Sequence, residues 1–122
     1  MRIAVLGVGL IGGSIGLAAR RRAGAEVIGY VRNPEKAAEC LERGACDRVE
    51  TTIEAAVAGA DVAICCAAVG ALPEMARRAL AAAPEGCVVT DVGSTKRELV
   101  DALGEDERFI GGHPLAGAET AG

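Results

Sequence analysis

Apolar residues along this chain fall into short continuous runs, separated by segments in which apolar and charged residues alternate with helical spacing. The runs cover residues 2–7, 26–31, 61–67, 87–93 and 108–112. A short apolar run of this kind is typical of a strand that is buried on both faces of a sheet. Regular alternation of such strands with helices predicts an α/β fold with a doubly wound, mainly parallel sheet and helices on both faces.

Helix signals support this order of elements. Leu10 to Ala23 is predicted as a helix that ends in three arginines and Gly24, which suit a helix C-terminus. A second helix is predicted to begin after Asn33, with Pro34 in its first turn, and to end at Gly44. A capping box over 51–54 predicts the start of a short third helix. Two more helices are predicted over 70–83 and 94–104.

The composition limits the class of protein. A chain of 122 residues forms one domain. Half of it is apolar, yet Tyr30 and Phe109 are its only aromatic residues, so the core must be aliphatic. A net charge of −4 argues against a nucleic-acid partner. No apolar run is long enough for a membrane span, and the glycine spacing of the N-terminus argues against a signal peptide.

Five cysteines raise the question of a metal or redox site. They form no C-x-x-C pair, and the neighbours Cys65 and Cys66 are predicted to point to opposite faces of a strand. We therefore interpret them as small buried residues in a reducing compartment, with no metal bound. The sequence on this basis predicts a cytoplasmic protein.

The motif GVGLIG directly follows the first strand and opens the first helix. In that context, Gly7 permits the tight turn, Gly9 lets a pyrophosphate approach the backbone, and Gly12 lets the helix pack against the strand. Free N–H groups at the start of the helix favour the anion. Residues 1–122 are thus predicted to form a Rossmann-type NAD(P)-binding domain, in which Gly7, Gly9, Leu10, Ile11 and Gly12 contact the cofactor.

The end of the second strand commonly carries an acid that binds the ribose 2′-hydroxyl of NAD. Here that position holds Val31, followed by Arg32 and Asn33, with Lys36 one helical turn further on. An arginine can pair with a 2′-phosphate, which an acid would repel. We therefore predict cofactor contacts from these four residues and a preference for NADP, with NAD as the other possible cofactor. The alternative is that Arg32 is a solvated surface residue.

Ligands of parallel sheets bind outside the carboxyl ends of the strands. The loops that begin after residues 6, 31, 67, 92 and 111 should therefore converge on one edge. Ala67 and Ala68, in the loop that follows the 61–67 strand, are predicted to contact the cofactor. His113, the only histidine in the chain, is predicted to lie on the same edge.

Four segments resemble the nucleotide-binding half of prephenate and arogenate dehydrogenases. They read GLIGGSIGLA, GYVRNPE, DVGSTK and GGHPLAGAE, and the resemblance covers essentially the whole chain. The first segment is shared by many dehydrogenases, whereas GSTK followed by HPLAGAE is much more specific. The resemblance implies an enzyme of tyrosine biosynthesis that decarboxylates prephenate or arogenate oxidatively and passes a hydride to NADP⁺ or NAD⁺.

The resemblance also implies the catalytic residues. His113 would accept the proton of the substrate's ring hydroxyl, and Ser94 would orient that hydroxyl near the nicotinamide. A neutral imidazole, with an unperturbed pKa of about 6.5, can accept a proton near neutral pH. The alternatives are that His113 only stabilises a loop and that Ser94 or Thr95 only caps a helix. Glu119 matches an acid of the family, and its role is left open.

This sequence departs from the family in three ways. Val31 replaces an aspartate that is frequent in the family, and Ala68 replaces a proline in a loop. Members of the family also carry a helical second domain, which forms a homodimer and supplies a basic group for the substrate carboxylates. Nothing follows Gly122 here. We therefore expect a cofactor domain of a longer enzyme, with little activity by itself.

Two other functions are compatible with the glycine motif. One is another NADP-dependent oxidoreductase, such as a hydroxyacid dehydrogenase or a pyrroline carboxylate reductase. The other is a module that binds NADP as a sensor and does no chemistry. The other oxidoreductases would not be expected to share the GSTK and HPLAGAE segments.

Replacement of the histidine separates catalysis from sensing. In the longer enzyme, His113→Asn should lower turnover by about a hundredfold or more, because the proton acceptor is lost. Cofactor affinity, measured by calorimetry on the same variant, should stay unchanged. A variant with full turnover would instead support the sensing module.

Overall fold

The computed structural model describes residues 1–67, 69–91 and 109–110, which form a parallel sheet with helices on both faces. Its strands are β1 (Arg2–Leu6), β2 (Glu26–Tyr30), β3 (Arg48–Glu50), β4 (Val62–Cys65), β5 (Val88–Asp91) and β6 (Phe109–Ile110). Its α-helices are α1 (Leu10–Ala23), α2 (Ala37–Glu42), α3 (Ile53–Val57) and α4 (Leu72–Ala82). Short 3₁₀ turns over Pro34–Lys36 and Val69–Ala71 lead into α2 and α4.

The sheet has the strand order β3-β2-β1-β4-β5-β6, and every neighbouring pair is parallel. From β1 the chain moves outward through β2 to β3. It then crosses the sheet through α3 and continues from β4 on the other side of β1. The order of the strands therefore reverses between β1 and β4, which is where open α/β sheets bind ligands. This topology confirms the predicted doubly wound, Rossmann-type fold.

Side chains of β1 alternate between two apolar clusters because successive strand residues point to opposite faces. Ile3 and Val5 pack in a cluster under α1 and α2. Ala4 and Leu6 pack in a second cluster under α3 and α4. All four residues are at most 8% exposed. Burial of the central strand on both faces explains why it reads as a continuous apolar run.

Predicted and observed bounds agree closely for most elements. Helix α1 covers the predicted residues, and Gly24 ends it in a left-handed conformation with φ of 63°, as predicted for a C-terminal glycine. None of the apolar runs predicts strand β3. It has three residues, two of them charged, so it offers no apolar run. Its place in the sheet depends on the ladder with β2, in which Ile28 pairs with Arg48.

The predicted capping box over residues 51–54 is wrong by one residue. The cap of α3 is Thr52, whose hydroxyl accepts a hydrogen bond from the Ala55 N–H at 3.1 Å. Glu54 therefore falls in the first turn, and its carboxylate pairs with Arg78 of α4 at 2.9 Å. The predicted helix over 94–104, the end of the 87–93 run and most of the 108–112 run lie outside the described residues.

Helices of the described ranges are too short or too polar to cross a membrane.

Truncation of a core side chain tests this packing. Leu72 is fully buried in the cluster under α3 and α4, whereas Leu41 is 45% exposed on α2. We expect Leu72→Ala to lower the free energy of unfolding by about 2–5 kcal/mol, because a cavity replaces packed atoms. The matched variant Leu41→Ala should cost about 0.5 kcal/mol or less in the same urea titration. Equal losses would contradict the assigned core.

Candidate cofactor site

The turn between β1 and α1 is held against the neighbouring strands by its backbone. The N–H groups of Gly7 and Val8 both donate to the carbonyl oxygen of Tyr30, at 3.0 and 3.3 Å. Gly7 has a φ of +98°, a conformation that side chains disfavour. A Cβ at this position would also clash with the carbonyl oxygen of Cys66. Only glycine satisfies both requirements here.

The two other glycines of the motif differ from each other in their surroundings. A Cβ at Gly12 would collide with the Gly7 carbonyl oxygen and lie 3.3 Å from Val5 Cγ1. Gly12 thus lets α1 approach β1 closely, which is the structural role predicted for it. A Cβ at Gly9 would meet nothing within 4 Å. Gly9 therefore leaves open space beside the turn, as the close approach of a phosphate requires.

The N-terminus of α1 is suited to an anion. Gly9 precedes the helix and has no side chain that could cap it, and the first turn contains no acidic residue. The first N–H groups of an α-helix have no intrahelical partner, and the helix dipole is positive at this end. Leu10 and Ile11 belong to this first turn, so their backbone lies where an anion would bind.

An open groove of about 320 Å³ begins at this turn and extends over the end of β2. It brings together six of the predicted cofactor-binding residues. Its lining consists of Gly7, Val8, Gly9, Val31, Arg32, Asn33, Lys36 and Cys66. Val8 and Cys66 were not predicted. The position of Cys66 follows from the sheet order, because β4 is hydrogen-bonded to β1 and ends beside the glycine turn.

Val31, the residue that directly follows β2, does not offer a polar side chain to this groove. Val31 is 4% exposed and packs in the cluster under α1 and α2, while its N–H donates to the Glu50 carbonyl oxygen at 3.1 Å. Arg32 and Lys36, in contrast, are exposed. Next to the end of β2, the described lining of the groove therefore presents two cations and no acid.

Asn33 has a structural role in the same loop. Its side-chain oxygen accepts a hydrogen bond from the Glu35 N–H at 3.0 Å and caps the 3₁₀ turn that carries Lys36. Lys36 also lines a neighbouring pocket between α1 and α2, together with Glu39 and Arg43. Glu39 and Arg43 form an ion pair of 3.1 Å there. Asn33 thus fixes the backbone from which Lys36 reaches the groove.

The thiols near the groove are not nucleophiles. Burial, and secondarily the charge of Asp91, raise the pKa of the Cys66 thiol to about 12. Burial also raises the pKa of the Cys40 thiol, which lies in the neighbouring pocket. Both groups are therefore protonated at neutral pH, and a thiol is a poor nucleophile and metal ligand. Among the described residues, no three His, Cys, Asp or Glu side chains form a group that could hold a metal.

The remaining predicted site residues do not line this groove or cannot be placed. Ala67 packs against the cluster under α3 and α4. Ala68, Ser94 and His113 lie outside the described residues, as does Glu119. Their predicted roles stay predictions.

Comparison with known proteins identifies relatives of the chain. Residues 15–122 match the family model described as "Prephenate dehydrogenase, nucleotide-binding domain". The prephenate dehydrogenase of Bacillus subtilis is 35% identical over 98% of this chain. The chain spans 34% of that relative, about a third of its length.

Solved structures show the same similarity. The crystal structure of A. aeolicus prephenate dehydrogenase with hydroxyphenyl propionate and NAD⁺ has a TM-score of 0.84 and 32% sequence identity, over 96% of this chain and 42% of that chain. The crystal structure of Synechocystis arogenate dehydrogenase has a TM-score of 0.82 and 28% identity, over 93% of this chain and 40% of that chain.

The open space at Gly9 leads to a testable distinction between fold and binding. In Gly9→Ala the methyl group meets no protein atom within 4 Å, so stability should change by about 1 kcal/mol or less. Dinucleotide affinity should fall about tenfold or more, because the methyl group occupies the space for the pyrophosphate. Urea unfolding measures the change in stability, and calorimetric titration measures the change in dinucleotide affinity.

Gly86→Ala is the matched control, since this exposed glycine lies in the turn before β5 and its added Cβ would also meet nothing. It should change neither quantity. Unchanged affinity in Gly9→Ala would place the phosphate elsewhere.

Proposed function

Because the chain belongs to the family of prephenate dehydrogenase nucleotide-binding domains, we propose that it binds the dinucleotide of a prephenate or arogenate dehydrogenase and prefers NADP⁺ to NAD⁺. The observation that carries this proposal is the uncapped N-terminus of α1 beside the open space at Gly9. These features lie at the switch point between β1 and β4. A pyrophosphate placed there accepts N–H bonds from the backbone and gains from the helix dipole.

The preference for NADP⁺ is supported by the residues after β2. A buried valine replaces the acid that would bind the ribose 2′-hydroxyl of NAD and repel a 2′-phosphate. Arg32 and Lys36 are exposed beside the same groove. A guanidinium can bind a phosphate through two parallel hydrogen bonds, and a lysine ammonium adds charge. The Asn33 cap limits the positions that this loop can take.

In the longer enzyme the bound cofactor would accept a hydride from the substrate ring while carbon dioxide is lost. We propose that His113 accepts the proton of the ring hydroxyl and that Ser94 holds this hydroxyl in position. The support for both roles is the resemblance of the GSTK and HPLAGAE segments to the family. Loss of the proton relieves the positive charge that hydride removal leaves on the carbinol carbon. The positioning hydrogen bond reduces the entropic cost of reaching the reactive geometry.

The substrate carboxylates need a second group of cations. Prephenate carries two carboxylates, which require cations that the described groove offers only next to β2. We propose that a helical second domain supplies them and forms a homodimer. The cytoplasmic location predicted from the cysteines stays a prediction.

Removal of one cation tests the cofactor preference. We expect wild-type protein to bind NADP⁺ more tightly than NAD⁺, and Arg32→Ala to weaken NADP⁺ binding about tenfold or more, the usual cost of a lost charge-assisted hydrogen bond. NAD⁺ binding should change less than about twofold, because it has no 2′-phosphate. Calorimetric titration with each cofactor measures both effects.

Arg21→Ala removes the same charge from an exposed position at the far end of α1 and should alter neither affinity. Tighter binding of NAD⁺ by the wild type would keep the family but overturn the preference. No binding of either cofactor would contradict the proposed site.

A further inference from the structure

Asp91 is the one charged residue among the buried residues of the described ranges, with 1% exposure. It ends β5 at the carboxyl edge of the sheet and pairs in register with Cys65 of β4. Every buried side-chain nitrogen or oxygen atom in the described part has a hydrogen-bond partner. Asp91 is therefore a carboxylate held in a fixed place, beside the strand that borders β1.

A buried carboxylate at this position is costly for folding. Charged groups lose their hydration when they are buried, and an apolar residue of similar volume usually packs as well or better. Two neighbours of Asp91, Val89 of β5 and Cys65 of β4, belong to the apolar cluster under α3 and α4. Packing alone does not account for an aspartate here, and its hydrogen bond offsets only part of the cost of burying a charge. The charge also acts on groups at the nearby groove.

The charge of Asp91 reaches the cofactor groove. Cys66 directly follows β4 and lines the groove together with Gly7 and Gly9. Asp91 contributes to the raised pKa of the Cys66 thiol, and also to that of Cys65. At a given distance, two charges interact more strongly in the interior of a protein than in water, because the effective dielectric constant is lower. A ligand over the ends of β4 and β5 therefore lies in the field of this carboxylate.

The fold determines which half of a dinucleotide would lie there. In a doubly wound sheet of this order the two halves of the dinucleotide lie on either side of the switch point, with the adenosine ribose at the end of β2. The nicotinamide half then lies over β4 and β5. An oxidised nicotinamide ring carries a positive charge, which the reduced ring lacks.

We propose that Asp91 is a specificity-determining residue that makes this domain bind the oxidised cofactor more tightly than the reduced one. The inference rests on the proposed dinucleotide site and goes beyond it, since it concerns the redox state of the ligand. Such a preference suits a dehydrogenase that takes up the oxidised cofactor and must release the reduced one. Attraction between unlike charges stabilises only the oxidised complex.

Neutralisation of the carboxylate tests this inference. The ratio of the dissociation constants for NADPH and NADP⁺, measured by calorimetry on the 122-residue chain, should fall about tenfold in Asp91→Asn. Asp91→Glu keeps the charge and should keep the ratio above that of the asparagine variant. Glu85→Gln removes an equal charge from the exposed turn at the amino end of β5 and should leave the ratio unchanged.

Each outcome has a definite meaning. An unchanged ratio in a folded Asp91→Asn variant that still binds cofactor overturns this inference and leaves the proposed function intact. Failure of the wild type to bind either form overturns both. If Asp91→Asn does not fold, as judged by circular dichroism, the wild-type chain decides, because equal or tighter binding of NADPH contradicts the inference.

Discussion

The close approach of the first turn to its two neighbouring strands is the constraint on which the rest of this structure depends. One carbonyl oxygen, that of Tyr30, accepts the N–H groups of Gly7 and Val8, and the Cys66 carbonyl lies where a side chain of Gly7 would be. The turn is thereby fixed to β2 on one side and to β4 on the other. Because α1 begins at this turn, its uncapped N-terminus is placed at the switch point of the sheet.

The charges around this turn are arranged in an order that matches a dinucleotide. Two exposed cations, Arg32 and Lys36, lie beyond the end of β2, where the adenosine half would bind. The N–H groups of α1 lie in the middle, and the carboxylate of Asp91 is buried on the side of β4 and β5. Phosphates are anionic and an oxidised nicotinamide ring is cationic, so each part of the ligand would meet the opposite charge.

Much of this arrangement could be predicted from the sequence because it depends on local rules. The glycine motif, the apolar runs and the end of α1 at Gly24 each have a physical signature within a few residues. Strand β3 does not, since its three residues are recognisable only through pairing with β2. The groove-lining position of Cys66 likewise depends on the order of strands. The sequence places two adjacent hydroxyls, those of Thr51 and Thr52, where either could cap α3, and the structure uses Thr52.

We propose that the start of α1 and the loop after β2 together form the cofactor site. The most direct test of this proposal is a nitrogen–proton correlation spectrum of the ¹⁵N-labelled chain, recorded during titration with NADP⁺. The account predicts that the largest shift changes fall on the amides of residues 7–13, at the glycine turn, and on those of residues 31–33, 35 and 36, over the end of β2. Changes concentrated at the amino end of the sheet, around Arg20 and Asp47, or no changes at all, would contradict it.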